Sequence, residues 1–563
     1  MAKGKQICGV IFSWAVVAFG QPHYSVLLSL VVAGVGVAFF WSVLMQIKTK
    51  RLRFGLSLGW FTAVQLVQLS WLASPKYQGL YIILVYLALA LWLGVQFGGL
   101  SLLLPAQAPI SWLRMLLIAS AWTLCEWSRL FVFCGFVWNP LGLTLSAHPL
   151  PAQLASLWGV FGLSFWVVLV NLIALNVFFA PKRRIVTAWL GCFLFPYIWG
   201  VLQIGYHSWR QHLVDRKKLT VALVQPALFP DQKQLWPGSI DRFVPPFDQW
   251  QGILSALETK RNQGKAFDLI VLPEAAVQFD AYACVYPYYD VVRHLGNVWQ
   301  ETQLDLKELL RAPLAKKSEG KWFVSNAFWV QSLANYYQSE VVVGLGDCDL
   351  ETGDCYNAAF HFVPKQKTIR RYEKQILLPL AEYLPLSFLQ PLVARYGIHS
   401  SFVPGKEAKV FSDRFPMSIS VCYEECFGDR MRAGRQKGAE LFVNVTNDGW
   451  YPFSQLPKQH FAHSYLRTLE NGVPLVRACN TGVTVAVDSL GQVIEQLEGE
   501  SGDVETVSGV LVSSVNLYSY KTLYTFWGDQ FIVGISMVCL FIGLSKIFLR
   551  KICGNHRLLQ GLR

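Results

Sequence analysis

Eight apolar runs, each near the length of a membrane crossing, punctuate this chain. They fall at about 7–21, 25–46, 54–73, 80–104, 113–133, 153–179, 185–205 and 529–548, and a helix needs about 20 apolar residues to cross the hydrocarbon. The first run is short and Pro22 follows it, as in a cleaved signal peptide. Further runs follow at once and no small-x-small cleavage site stands out, so it is read as a span. From Leu219 the pattern changes to short strand-like runs: Leu219 to Gln225, Phe267 to Glu274, Val341 to Gly346, Asn357 to Val363, Met417 to Cys422, Leu441 to Val445 and Thr484 to Asp488. Trp250 to Gln263, Asp429 to Lys437 and Gln459 to Asn471 have helical periodicity. Strands alternating with helices predict a layered α/β sandwich. The stretch 280–340, rich in Tyr and charge, reads as an elaboration on that core, either a lid or a mobile insertion.

Composition agrees. Only 15% of the 563 residues are charged, against about 25% in soluble domains. The expectation is an α+β membrane protein in three parts: a helical bundle of about seven spans over 1–205, a polar domain over 206–528, and a final span with a basic tail over 529–563. Charge orients it. Both ends and alternate loops carry 15 Lys and Arg with no acid among them, while the opposite short loops carry only Lys76. Basic loops stay in the cytoplasm, which puts both termini inside and 206–528 outside. That segment holds 32 Lys and Arg against 34 Asp and Glu, a balance that argues against a nucleic-acid partner.

Three segments carry candidate chemistry. In Val271-Leu-Pro-Glu-Ala-Ala, Glu274 follows a buried strand behind a rigid proline, where partial desolvation would make it a usable base. The alternative is a helix-start acid. In Arg371-Tyr-Glu-Lys-Gln-Ile-Leu-Leu-Pro, Lys374 precedes an apolar run and Glu382 follows between bulky residues. A lysine in a closed site steadies an oxyanion, and the alternative is a snorkelling surface lysine. In Ile419-Ser-Val-Cys-Tyr-Glu-Glu-Cys, Cys422 ends a strand, so it is expected to be displayed rather than buried. A thiol forms acyl intermediates near neutral pH, and the alternative is a structural core cysteine. Each is weak alone; a Glu, a Lys and a Cys at successive strand ends are stronger together. Cys348 and Cys355 flank a turn-rich stretch, and both a hairpin disulfide and two free thiols stay open. No Cys/His spacing reads as a metal site. Glu126 and Arg129, one turn apart inside a span, are expected to pair.

The three segments resemble the Glu-Lys-Cys triad of the nitrilase superfamily, which implies an αββα sandwich. With the surrounding spans, the chain resembles the apolipoprotein N-acyltransferases of the bacterial inner membrane over nearly its whole length. Further matching segments are Cys125-Glu-Trp-Ser-Arg-Leu, Gly135-Phe-Val-Trp-Asn-Pro-Leu-Gly, Asn444-Val-Thr-Asn-Asp-Gly-Trp, Gln459-His-Phe, Arg467-Thr-Leu-Glu and Arg477-Ala-Cys-Asn-Thr-Gly-Val. The resemblance implies Glu274 as general base, Lys374 at the tetrahedral intermediate and Cys422 as nucleophile. It implies Glu382 as a second acid, Tyr423 and Glu424 beside the nucleophile, and Trp236 near the site. Val137 stands where the family often has Pro, and Tyr451-Pro452 where it has Phe-Gly; these departures bear on substrate preference and gating.

The implied reaction is ping-pong transfer of an acyl chain from a phospholipid, through a Cys422 thioester, to the α-amine of a diacylglyceryl-cysteine apolipoprotein. It needs no cofactor or metal, and a monomer is the default. Both substrates are lipid-anchored, and moving a chain into water costs about 0.8 kcal/mol per CH₂, so site and spans belong in one molecule. The apolar stretch 376–403 could dip into the leaflet or form ordinary core. The rivals are a membrane-tethered nitrilase-like amidase, for which eight spans are excessive, and a transporter, for which the spans carry too few polar residues.

Overall fold

A computed structural model gives the fold and describes residues 2–214, 217–235, 240–301, 305–349, 351–384 and 402–560. Trp236 and most of the 376–403 stretch lie outside the described residues. The chain forms two compact units. One comprises Met1–Pro75, Leu80–Ser208 and Thr522–Arg563; the other comprises Lys76–Gly79 and Trp209–Lys521.

The first unit is helical. A helix covers each of the eight apolar runs. Among the described residues four helices are long and apolar enough to cross a membrane: Val26–Leu44, Tyr81–Ser101, Ala155–Phe179 and Arg183–Leu213, with shorter apolar helices at Gln6–Ala18 and Gln530–Lys546. Buried amides tie the helices together. Val26–Leu44 contains a π-turn at Val32–Gly36, which leaves backbone groups without regular partners. Asn171, from Ala155–Phe179, satisfies them: its Oδ1 accepts from Val37 and Ala38 N–H, and its Nδ2 donates to the Val32 carbonyl. The expected Glu126–Arg129 pair is absent among the described residues. Glu126 Oε1 instead accepts from the Trp122 indole and the Leu141 N–H, each about 2.8–2.9 Å away, and Arg129 donates to Gln96. The backbone stays helical through Arg129, so the two side chains are parted by these competing partners rather than by the helix end.

The second unit is a sandwich. In chain order its strands are β1 (Lys218–Gln225), β2 (Leu269–Leu272), β3 (Tyr286–Pro287), β4 (Ala315–Ser318), β5 (Lys321–Val324), β6 (Glu340–Cys348), β7 (Cys355–Phe362), β8 (Arg370–Glu373), β9 (Val410–Ser412), β10 (Pro416–Val421), β11 (Leu441–Thr446), β12 (Leu475–Cys479), β13 (Val485–Val487), β14 (Val493–Gln496) and β15 (Gly509–Asn516). Two six-stranded sheets run β15-β1-β2-β6-β7-β8 and β14-β13-β12-β11-β10-β9. Strand alternation builds the layers. Leu219, Val221 and Leu223 join Met417, Ile419 and Val443 in a core between the sheets. Ala222 and Val224 face the other way, onto Trp250 and Leu254 of the helix Pro246–Asn262. Both faces of β1 are therefore buried, which explains an apolar run interrupted only at Thr220. Beyond the second sheet lies Gly428–Gln436, whose Gly434 presses on Ser418: a Cβ there would come 2.2 Å from the hydroxyl. Leu456–Asn471 covers the same face through His460, which meets Arg477 of β12.

The 280–340 stretch builds the small sheet β3-β5-β4 and two helices, Tyr288–Trp299 and Asn326–Tyr337. Phe328, Trp329 and Leu333 are fully buried against the first sheet, so this stretch supplies part of the helical layer. Cys348 and Cys355, facing each other across the β6–β7 hairpin, are joined as a disulfide.

Candidate active site

Three strand ends converge. β2 runs into Pro273 and Glu274, β8 into Lys374, and β10 into Cys422, the positions beyond carboxyl ends where such sheets place their sites. Lys374 Nζ lies 2.9 Å from Glu382 Oε1 and 3.4 Å from Glu274 Oε1. Asn357, on β7, donates its Nδ2 to both carboxylates, at 2.7 Å to Glu274 and 2.6 Å to Glu382. Glu382 Oε2 accepts the Leu378 N–H. One ammonium and one amide thus hold two acids side by side.

The approach of Glu274 depends on Gly344 in β6. A Cβ at Gly344 would sit 2.5 Å from Glu274 Cα and 2.7 Å from the Pro273 carbonyl. Backbone bonds close the same junction: Gly344 N–H to Pro273 and Ala276 N–H to Gly344. On the far side of the acid, Lys233 is buried and its Nζ donates to the Ala275 carbonyl at 2.6 Å. Burial lowers the Lys233 ammonium to about 7, with the Glu274 charge opposing.

Cys422 has φ +53°, the left-handed region that a β10-to-helix turn requires here, and opens the 3-10 turn Cys422–Cys426. Its carbonyl accepts from Asn444 Nδ2. Contrary to the displayed thiol expected from its strand-end position, Cys422 is only 8% exposed. The turn folds it back against the core between the sheets rather than into solvent. Burial pushes its thiol up, the Glu274 carboxylate adds to that, and the Lys374 ammonium opposes it. The resting group is therefore a protonated thiol within electrostatic reach of Glu274 and Lys374. Burial alone would lower Lys374, which is 1% exposed, but Glu382, Glu274 and Cys422 hold it well above the ordinary lysine range. Its charge is secure at neutral pH.

Glu424 is fully buried and clamps two segments of the site together. Its carboxylate accepts from the Tyr372 hydroxyl and from the N–H groups of Gln375, Ile376 and Val421. The Lys374 segment and the Cys422 turn are thereby fixed to one side chain. Tyr423 is buried and packs edge-on against Phe427 at 5.1 Å. Behind the turn lies a buried network: Arg477 reaches Glu425 at 2.8 Å and Asp448 at 3.2 Å, and His460 reaches the same two acids. Burial raises Glu425 despite Arg477 and His460, whereas for Asp448 burial is outweighed by those cations and its carboxyl is lowered. Losing one partner of such a network is costly, about 3–5 kcal/mol.

The structure thus brings Glu274, Lys374, Glu382 and Cys422 to one place, with Tyr423 and Glu424 in the adjoining turn. Asn357, Gly344 and Lys233 complete the surroundings and were not singled out in the sequence. Asn357 was legible only as part of a strand, and Gly344 only as a glycine within an apolar run.

A two-sheet sandwich between helical layers, with acid, lysine and cysteine at its strand ends, is the architecture of a carbon-nitrogen hydrolase domain, and the pattern of the Carbon-nitrogen hydrolase family matches residues 220–519. A second pattern, the Apolipoprotein N-acyltransferase N-terminal domain, matches residues 9–173. The chain is 34% identical to an apolipoprotein N-acyltransferase of Chlamydia pneumoniae over 92% of this chain and 93% of that one. It is 32% identical to one of Chlamydia caviae over 95% of this chain and 96% of that one. The chain belongs to the apolipoprotein N-acyltransferase family.

Proposed function

We propose that this protein moves an acyl chain from a phospholipid to the α-amine of the diacylglyceryl-cysteine that begins an apolipoprotein. The observation that carries the reading is a single buried ammonium bridging two carboxylates beside a buried thiol, in a chain of this family. Glu274 takes the Cys422 proton as sulfur attacks the ester carbonyl. Lys374 and a backbone N–H near Tyr423 meet the oxyanion. The lysophospholipid oxygen leaves with the proton returned by Glu274, and a thioester remains. The apolipoprotein amine then attacks that thioester, Glu274 accepts its proton, and Cys422 departs and is reprotonated. Glu382 keeps Lys374 charged, Glu424 sets the turn, and Tyr423 and Trp236 contact substrate.

In this reading the protein is a monomer of the bacterial inner membrane with eight spans and cytoplasmic termini. Residues 206–528 face the periplasm, beside the outer-leaflet donor. The alternation of basic and uncharged short loops supports that orientation, and the four long apolar helices support the embedding. The test uses full-length protein in micelles with phospholipid and a diacylglyceryl-cysteine peptide. Wild type is expected to give N-acylated peptide and lysophospholipid, and Cys422→Ala neither. Hydrolysis of small amides without peptide acylation would favour the amidase instead.

A further inference from the structure

Arg53, in the first turn of the helix Lys50–Gln68, is 5% exposed. It heads that helix's buried stripe, with Ser57, Trp60 and Val64 following at helical spacing. Its Nε and Nη2, the two donors along one edge of the guanidinium, have no partner among the described residues. The Ser57 hydroxyl, one turn on, is also buried without a partner, and so is that of Ser101 at the end of Tyr81–Ser101. These two helices interlock. A Cβ at Gly94 would lie 2.8 Å from the Leu58 carbonyl, and one at Gly98 would lie 3.3 Å from that of Phe54. The register therefore runs antiparallel, and the next step carries Ser101 to the level of Arg51, within two residues of Arg53.

A buried guanidinium cannot shed its proton, and leaving it without a counter-charge costs several kcal/mol. The described residues of the helical unit do not supply one. It contains two acidic residues, Glu126 and Asp529. Glu126 accepts from Trp122 and Leu141, Asp529 accepts from the Tyr524 hydroxyl, and neither bonds the free Nε and Nη2 of Arg53. No acid among the described residues pairs with Arg53, and a counter-ion from outside the chain would fill that role. The free edge has the fork geometry that suits a phosphate. The helix starts at Lys50 without a side-chain cap, so its first N–H groups add positive potential. Lys48, Lys50 and Arg51 are exposed at the same end and would draw anionic lipid to it.

We propose that Arg53, with Ser57 and Ser101, holds a phosphate group, supplied in the bilayer by an anionic lipid headgroup. The site rests on reading the helical unit as membrane-embedded and is independent of the acyl-transfer chemistry. Charge orientation puts it at the cytoplasmic face, so this lipid is not the donor.

Native mass spectrometry and thermal unfolding of the full-length protein in neutral detergent, with phosphatidylglycerol, phosphatidylcholine or inorganic phosphate added, test it. Wild type should retain phosphatidylglycerol over phosphatidylcholine and gain thermal stability from it. Arg53→Gln should bind phosphatidylglycerol about tenfold or more weakly, the loss of a charged hydrogen-bond pair. Lys321→Gln, which removes a positive charge from an exposed position in β5 of the second unit, should leave retention unchanged. Equal retention by wild type and Arg53→Gln would overturn the proposal. Stabilisation by inorganic phosphate equal to that by phosphatidylglycerol would keep the anion site and discard lipid as its source. If Arg53→Gln does not fold, Arg53→Lys, which keeps the charge but loses the fork, must still show weakened retention or the site falls.

Discussion

Removing Asn357 probes whether the two carboxylates are held as the structure shows. Asn357→Ala deletes the donor shared by Glu274, at 2.7 Å, and Glu382, at 2.6 Å, leaving Lys374 as the link between them. A hydrogen bond to a charged group contributes about 1.5–3 kcal/mol. If the Glu274 bond is needed to aim the base at the Cys422 thiol, its loss slows the first step about 10- to 150-fold. Asn357→Asp should be worse than Asn357→Ala, because it sets a third carboxylate against the other two and one ammonium cannot balance them. The assay is single-turnover release of lysophospholipid, which reports thioester formation apart from transfer to the amine. Thermal unfolding run in parallel shows whether the domain stays folded. A first step within about twofold of wild type, in a folded variant, would refute the idea that Asn357 orders the base.

Gly344→Ala drives a methyl to 2.5 Å from Glu274 Cα. It should destabilise the domain by about 1–3 kcal/mol, the usual cost of overpacking, and abolish turnover by displacing Glu274, as read by thermal unfolding and activity. The raised Cys422 thiol predicts slow alkylation of its peptide at pH 7, because the thiolate is the reactive form. As pH passes about 9, where a free thiol accelerates, Cys422 should lag, and Lys374→Met, which removes the opposing cation, should make it lag further; peptide mass spectrometry across pH reads both. Replacing Cys348 and Cys355 with serine opens a short hairpin loop and should cost about 2–3 kcal/mol by loop-closure entropy, seen as a lower unfolding midpoint with acyl transfer retained.

Much of this was legible in the sequence because strong local patterns survive folding. β1 and β6 announce themselves as largely apolar runs, since both of their faces are buried, β10 by apolar residues alternating with Ser418 and Ser420, and the helices Pro246–Asn262 and Leu456–Asn471 through their period. Glu274 and Cys422 stood out because each ends a strand-like run, and Lys374 because an apolar run follows it. What escaped depends on long-range geometry. β15 was missed because Ser513 and Ser514 dilute its pattern, yet it pairs with the whole of β1. β12 reads as a polar motif because Arg477 sits mid-strand, and only the buried acids Glu425 and Asp448 explain an arginine there. Burial of Cys422 could not be read from its strand, as it depends on the first sheet packing across the core from it. Asn357 acquires meaning only when β7 lies beside Glu274, 83 residues away in sequence. The buried Arg53 looked like one more basic loop residue until its helix was placed.

Acyl transfer by this route requires sulfur to carry the acyl chain between substrates. Full-length wild type incubated with phospholipid alone should gain one fatty acyl mass on the peptide containing Cys422. That mass should be lost when a diacylglyceryl-cysteine peptide is added, and it should be absent from Cys422→Ala. Peptide acylation by wild type with no such adduct at any time, or acylation that persists in Cys422→Ala, would contradict it.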